Sequence, residues 1–526
     1  MKNLLLSFSF IPIFFQMTFG QNTWQRTYSL DGFSLGYSMQ LTSDGGFVVT
    51  GATVPLGEGE EFVYFLRVDS SGNILTSEAF GDGNNELGQC IQQCSDGSFI
   101  IAGVTEDEWN GNFYLNLTRL TGNGAIIWDK KYGAPYYGGR GYSVQQTFDG
   151  GFVIAGSINN ILPAGSDIFL LRTDGNGDSL WTRYFDSGNT DDMGYSVQQT
   201  TDSGFILTGT FYHTGNAYDA VLIKTDSVGD TTWTRSYGNG VFEYNLPVSA
   251  EQTSDGGYIM TGSLEDTINY HDNVLLMRTD RIGDTLWTKI YGGNNSDGGI
   301  DVHETIDGGF IVAGYGNETA YDTADVYLIK TNGNGDTVWT KTYGALNDDK
   351  AYSVRQTSDG GYLVAGYTGN FGVGYSGVYV IKTDSVGNSW CNELTTNTNV
   401  STPSIIVNHP LFSVGSGVAD STYWSAIWES SGVADDLCIG NGIQVETNNP
   451  KSNLLFYPNP CTNTIYINTS INSGEIFLYD LTGKKILQRS IQSDKSEINT
   501  INLAAGFYLI KYKDGLSCQY FKLVKQ

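Results

Sequence analysis

Histidine, cysteine and proline are scarce in this 526-residue chain, at 4, 6 and 10 copies. None of His213, His271, His303 and His409 stands at metal-ligand spacing from another, and no G-x-S-x-G, H-E-x-x-H or phosphate-loop motif occurs. Serine hydrolase, zinc hydrolase and nucleotide-hydrolysing chemistry therefore have no motif to rest on, and no cofactor is expected. Six cysteines are too few for a disulfide scaffold, yet they suit an oxidising compartment. Basic residues are also short, 28 against 56 acidic, for a net charge of −28. That field repels nucleic acid and anionic lipid, and it favours cations or neutral sugars as partners. Long apolar runs are absent after residue 20, so no membrane span is expected. The exception, residues 1–20, has a basic start at Lys2, an apolar core from Leu4 to Phe15, and small residues Thr18 and Gly20 before Gln21. It reads as a signal peptide.

Glycine (67) and aromatic residues (13%) are plentiful, which suits many short strands joined by tight turns. The arrangement is periodic. A DGG[FY]-like turn falls at Asp44, Asp96, Asp149, Asp202, Asp255, Asp307 and Asp359, spaced by 52 or 53 residues. A W-x-[KR]-x-[YF] element falls at Trp24, Trp128, Trp181, Trp233, Trp287 and Trp339, with Thr76 in one remaining slot. Each copy contains four strand-like runs. The second and third are almost continuously apolar, as strands buried on both faces are. The first (YSVQQT at Tyr142 and Tyr195) is smaller and more polar, fit to line a narrow wet channel. A repeat of about 50 residues with four strands per copy predicts a propeller blade. The fold class is all-β: a seven-bladed β-propeller over 21–392, a Ser/Thr/Asn-rich spacer over 393–450, and a small C-terminal β-sandwich over 451–526. Thr23–Tyr28 is expected to complete the last blade and close the ring, removing the edges an open array would expose.

The blocks resemble the bacterial β-propeller repeats of the SBBP type, which carry W-x-K-x-YG, DGGF-x-x-AG and D-x-x-L-x-K-T-D elements. That resemblance implies a fold and no catalytic residue. The end of the chain offers Tyr457-Pro458-Asn459-Pro460, YDLTGK around Gly483, the strand GFYLIK from Gly506, and a basic terminus. It closely resembles the type A C-terminal sorting domain of the type IX secretion system. The resemblance implies passage through the outer membrane, the secretion machinery as partner, and a secreted or cell-surface location.

Candidate sites follow from the topology. Connections between second and third strands vary in sequence, whereas the hairpins on the opposite rim are uniform. The variable loops carry Tyr212, His213, Tyr270, His271, Tyr321 and Tyr375, and acids at the start of first strands (Asp192, Asp297, Asp349) are expected on the same rim. Aromatics beside acids are what a carbohydrate or protein site uses; the competing reading is that the acids cap strands. Non-enzymatic binding of a glycan or protein, by a monomer, is the expectation. The rival is a polysaccharide-active enzyme using paired rim carboxylates. Asp174-x-Asn176-x-Asp178 opens like a calcium loop but lacks its downstream Gly and Glu, so it reads as a hairpin turn and no metal is expected. Cys90 and Cys94, about 13 Å apart along one strand, cannot bond each other. Cys391 and Cys438 are expected to form a disulfide.

Overall fold

In the computed structural model, residues 23–439 are described apart from a few single positions and the longer loops, among them 107–111, 161–164, 214–216, 239–244, 267–270, 317–322 and 370–375. Beyond 439 only the strands between 455 and 525 and a few flanking positions are described. The predicted signal peptide lies outside the described residues. Two units form, 1–437 and 438–526.

The first unit contains seven five-stranded antiparallel sheets among the described residues. Sheets 1 to 6 take their first four strands in chain order from 32–81, 86–132, 139–186, 193–238, 245–292 and 298–343. Sheet 7 takes three from 349–383, and its fourth is Trp24–Ser29. Trp24 pairs with Lys382 and Tyr28 with Val378 in that sheet, so the N-terminal strand completes the last repeat as expected. Local chemistry sets these hairpins. In the last copy Gly360 sits at φ 82°, the left-handed conformation the turn requires. The Asp359 carboxylate accepts the Gly361 N–H at 3.1 Å and pairs with Lys382 at 2.9 Å.

The core lies between sheets. Leu115, Leu117 and Tyr132 of sheet 2 pack against Val144, Phe152 and Ile154 of sheet 3. The repeat tryptophans bridge the same boundaries. Each lies on the residue that opens the second strand of the next sheet, with ring centroids 5.7–6.0 Å apart from Trp128–Phe152 to Trp339–Tyr362. Trp24 of sheet 7 meets Phe47 of sheet 1 at 6.1 Å. The tyrosine of the same element donates to a glycine carbonyl in the next third-to-fourth-strand turn. Tyr237 reaches Gly283 at 2.7 Å, and Tyr28 reaches Gly72 across the junction of sheets 7 and 1 at 2.9 Å. The seventh sheet thus packs on the first through the interactions that join its predecessors.

The stretch read as a spacer does something else. Residues 393–439 supply the fifth strand of every sheet: Glu393–Thr395 joins sheet 6, Asn399–Ser401 sheet 5, Ile406–Asn408 sheet 4 and Ser413–Gly415 sheet 3. Asp420–Tyr423 then joins sheet 2, Ala426–Glu429 sheet 1 and Val433–Ile439 sheet 7. The chain passes the sheets a second time in reverse order, adding one short strand to each outer edge. Its strands place Val400 opposite Tyr291, Val407 opposite Tyr237, Val414 opposite Phe185 and Ile427 opposite Phe80. Those partners are the closing aromatic of each W-x-[KR]-x-[YF] slot. A fourth strand left open would present unpaired backbone groups to other chains. Cys391, where this belt begins, is disulfide-bonded, with its sulfur 3.9 Å from the Leu437 carbonyl oxygen. The side chain of Cys438 lies outside the described residues. Cys90 and Cys94 are both free, so they do not bond each other.

The second unit contains a three-stranded sheet from Leu455–Tyr457, Thr464–Asn468 and Lys495–Asn499. Its four-stranded sheet comes from Gly474–Tyr479, Lys485–Ile491, Gly506–Lys513 and Cys518–Lys525. Of the sorting-motif residues, Tyr457 ends the first strand and Gly506 opens a later one, while Pro458, Asn459, Pro460 and Gly483 lie outside the described residues.

The belt yields a test. A chain cut to 23–392 is expected to melt roughly 5 °C or more below one of 23–437 and to self-associate through its bared edges. Calorimetry with light scattering measures both; equal melting of two monomers would contradict the edge-closing role.

Candidate functional site

First strands form the inner edge of each sheet, and an inner edge also needs partners for its outward N–H groups. The repeat supplies them from the preceding sheet. Gln40, Gln92, Gln145 and Gln198 occupy one position in four successive first strands. Their side-chain carbonyls accept the backbone N–H of Gln93, Gln146, Gln199 and Gln252, one sheet on. Glu251 does the same for Glu304. Two residues nearer the strand's start, the hydroxyls of Ser38, Ser143 and Ser196 accept the N–H of Ile91, Val197 and Ala250 at 3.2–3.3 Å.

The pattern breaks in sheets 6 and 7, where the equivalent of glutamine is His303 and then Arg355. A guanidinium cannot accept a hydrogen bond. Asp301, in the serine slot, accepts the Val354 N–H at 2.9 Å, as the serines do elsewhere, and pairs with Arg355 at 2.6 Å and His303 at 3.2 Å. His303 Nδ1 lies 2.7 Å from Glu251. Burial and the Arg355 charge push the imidazole down, but the Asp301 charge and the hydrogen bonds to Asp301 and Glu251 outweigh them and hold it at about 9. Burial would raise Asp301; Arg355, His303 and the Val354 N–H hold it well below the usual carboxylate range. These groups line a cavity of about 650 Å³, whose wall draws on the first strand of every sheet. Tyr37, Tyr142, Tyr195 and Tyr352 stand at the other end of the lining positions. Tyr37 and Tyr352 meet edge to face at 5.4 Å.

The residues singled out in the sequence separate into three groups. Tyr270, Tyr321 and Tyr375 lie outside the described residues, as does the His213 side chain. Tyr212 and His271 are partly exposed beside the variable loops, and Tyr212 packs edge-on against Tyr218 at 5.0 Å. Asp192, Asp297 and Asp349 stand at or next to the starts of first strands, but are buried. Asp192 accepts the N–H groups of Ser187 and Tyr212 at 2.8 and 3.0 Å and the Ser187 hydroxyl at 2.9 Å. Asp297 accepts the Gly293 N–H at 2.9 Å. Glu86 is the counterpart in sheet 2, taking the Asp82 N–H at 3.1 Å and the Thr105 hydroxyl at 3.0 Å. These acids tie the loop entering a sheet to the strand that follows. Burial raises Asp192 to about 6, and burial with nearby Asp82 raises Glu86 to about 8.

One acid cluster has ligand spacing. Asp167, Asp186 and Asp192 bring carboxylate oxygens within 4.8 Å of one another, and hard cations take such oxygens. Asp192 is already satisfied by three donors, so the grouping carries no metal assignment. Asp174 accepts the N–H groups of Asn176 and Asp178 at 2.8 and 2.9 Å, the geometry of the turn expected there.

Residues 455–526 match the family described as a secretion system C-terminal sorting domain. No curated protein matches the chain. Among solved structures, PorZ, described as an essential bacterial surface component of the type IX secretion system of Porphyromonas gingivalis, aligns over 95% of this chain and 100% of its own, at 10% identity and a TM-score of 0.16. A likeness that low bears on neither the fold nor the role of this chain.

The buried ionisable groups predict a pH dependence. The stabilisation tied to protonated His303 is full below its ordinary value near 6.5 and is lost as pH rises through about 9. Glu86, also raised, favours the folded state below about 4.5 and loses that as pH rises through about 8. Stability is therefore expected to fall by up to ~3 kcal/mol from the His303 contribution between pH 6.5 and 9.5. Denaturation at several pH values measures it. His303→Gln, which restores the residue type of four other sheets, should leave only the smaller Glu86 part; an unchanged slope would assign the effect elsewhere.

Proposed function

We propose that this chain, which ends in a type IX secretion system C-terminal sorting domain and is a secreted or cell-surface protein, is a monomeric seven-bladed propeller that binds glycan or protein without catalysis. Residues 1–20 serve as its signal peptide. The two sheets of 451–526 form the sandwich that engages the export machinery. Cys391 bonds Cys438 to fasten the belt.

The observation carrying the binding reading is the fate of the acids. A hydrolase using rim carboxylates needs a pair facing solvent across a substrate. Glu86, Asp192 and Asp297 are instead consumed in backbone hydrogen bonds beneath the rim. The strand ends beside the variable loops carry Tyr212, Tyr218 and His271, partly exposed aromatic rings with hydrogen-bonding groups, suited to stacking on sugar rings or docking a protein.

A panel of polysaccharides and surface glycoproteins immobilised against residues 21–437 tests this. Retention is expected with polymer length unchanged, weakened roughly tenfold by Tyr212→Ala with Tyr270→Ala, about 1.4 kcal/mol. Shortened polymer would replace the reading with the polysaccharide-active one.

A further inference from the structure

The axial cavity has a chemistry of its own, separate from the rim and independent of the reading above. Its sheet-to-sheet hydrogen bonds consume acceptors and leave donors. The carbonyls of Gln40, Gln92, Gln145 and Gln198 are committed to backbone N–H groups, which fixes which way each amide faces. Among the described residues, nothing accepts from their four NH₂ groups, and all four side chains line the cavity. Arg355 contributes more. Its Nη1 is taken by Asp301 and the Val354 carbonyl, both at 2.6 Å, and also lies against His303 Nε2. No acceptor among the described residues faces its remaining nitrogens, and the side chain is 29% exposed.

The acceptors nearby are already engaged. Asp301 receives Ser249, Ser353, Val354, His303 and Arg355, and Glu251 receives His303 and the Glu304 N–H. Protonated His303 and Arg355 balance Asp301 and Glu251, so this wall carries no net charge against an incoming anion. No other charged side chain among the described residues lines the cavity. A ligand that satisfies the lumen must be rich in acceptors, and a planar carboxylate matches both a guanidinium edge and paired amide donors. The volume, about 650 Å³, suits a molecule of one or two sugar rings, and the tyrosine layer offers faces for ring C–H groups.

We propose that the axial cavity binds the carboxylate of a small hydroxylated acid, with Arg355 and the amides of Gln92 and Gln145 as donors. The carboxylate belongs either to a free sugar acid or to the terminal residue of an acidic polysaccharide; the recognition chemistry is the same.

The ring contains its own control. Glu251 shows that glutamate at the glutamine position still accepts the neighbouring N–H. Gln92→Glu with Gln145→Glu therefore keeps the bonds between sheets while replacing two donors by two negative charges. Calorimetric titration of the full chain would use D-glucuronate, D-glucose and an oligogalacturonate. Glucuronate is expected to bind at least tenfold more tightly than glucose, and the double variant to lose at least tenfold for glucuronate. Oligogalacturonate binding as tightly as glucuronate identifies the polymer end as the source, and its exclusion identifies the free acid. No glucuronate binding at 10 mM, equal binding of glucose, or an unaffected double variant that retains its circular dichroism spectrum would overturn the proposal. If the variant fails to fold, the glucuronate–glucose comparison on the natural chain decides it.

Discussion

A β-sheet exposes unpaired backbone groups at both edges, and seven separate sheets make fourteen edges to be closed. The inner edges of sheets 2 to 6 each receive a glutamine or glutamate carbonyl from the sheet before, and that of sheet 7 receives an aspartate oxygen. Each outer edge is closed by the belt strand that arrives after the whole repeat array has been made. A single bond of this kind contributes only about 1 kcal/mol, but leaving a buried N–H unpaired costs more. The repetition of glutamine at one position is therefore a requirement of the assembly. Where glutamine gives way to His303 and Arg355, these side chains instead join Asp301 and Glu251 in a chain of ion pairs.

That constraint also explains the junction of sheets 7 and 1. Leu41 stands where other copies have a glutamine or glutamate that accepts a turn N–H of the preceding sheet, as Gln93 accepts that of Ser43 at 2.8 Å, so its side chain cannot make that bond. The N-terminal strand keeps the contacts common to the other boundaries, Trp24 on Phe47 and Tyr28 on the Gly72 carbonyl, and brings Arg26 onto the Ser71 carbonyl at 2.8 Å. The first strand thus lies in sheet 7 between the last repeat and the last belt strand. Joining the ends of the array in one sheet ties its stability to segments nearly 400 residues apart in sequence.

The repeat and its N-terminal closure were legible in the sequence because DGG[FY] and W-x-[KR]-x-[YF] recur with a fixed period and each has a local physical role. The belt was not. Its strands are as short as three residues, below the usual length of five or six, and interrupted by Pro403 and Pro410. Its trace is the spacing of Val400, Val407 and Val414, seven residues apart, which tracks the distance from sheet to sheet and no familiar helix or strand period. The cavity cluster could have been found by aligning the copies, since QQ gives way to Glu251-Gln252, His303-Glu304 and Arg355-Gln356. The role of the strand-start acids was not legible, because an aspartate at a strand start looks the same in sequence whether it faces solvent or caps the loop beneath, and only the fold distinguishes them.

Residue-resolved hydrogen exchange of the inner-edge amides addresses the central claim most directly. The N–H groups of Gln93, Gln146, Gln199 and Gln252 face away from the sheet that contains them, toward a cavity. If the preceding sheet closes these edges, the four amides exchange only at the rate of global unfolding, together with amides of the buried second strands. Exchange at the rate of open edge-strand amides would show that the sheets stand side by side without these bonds, and the account of the ring would fail.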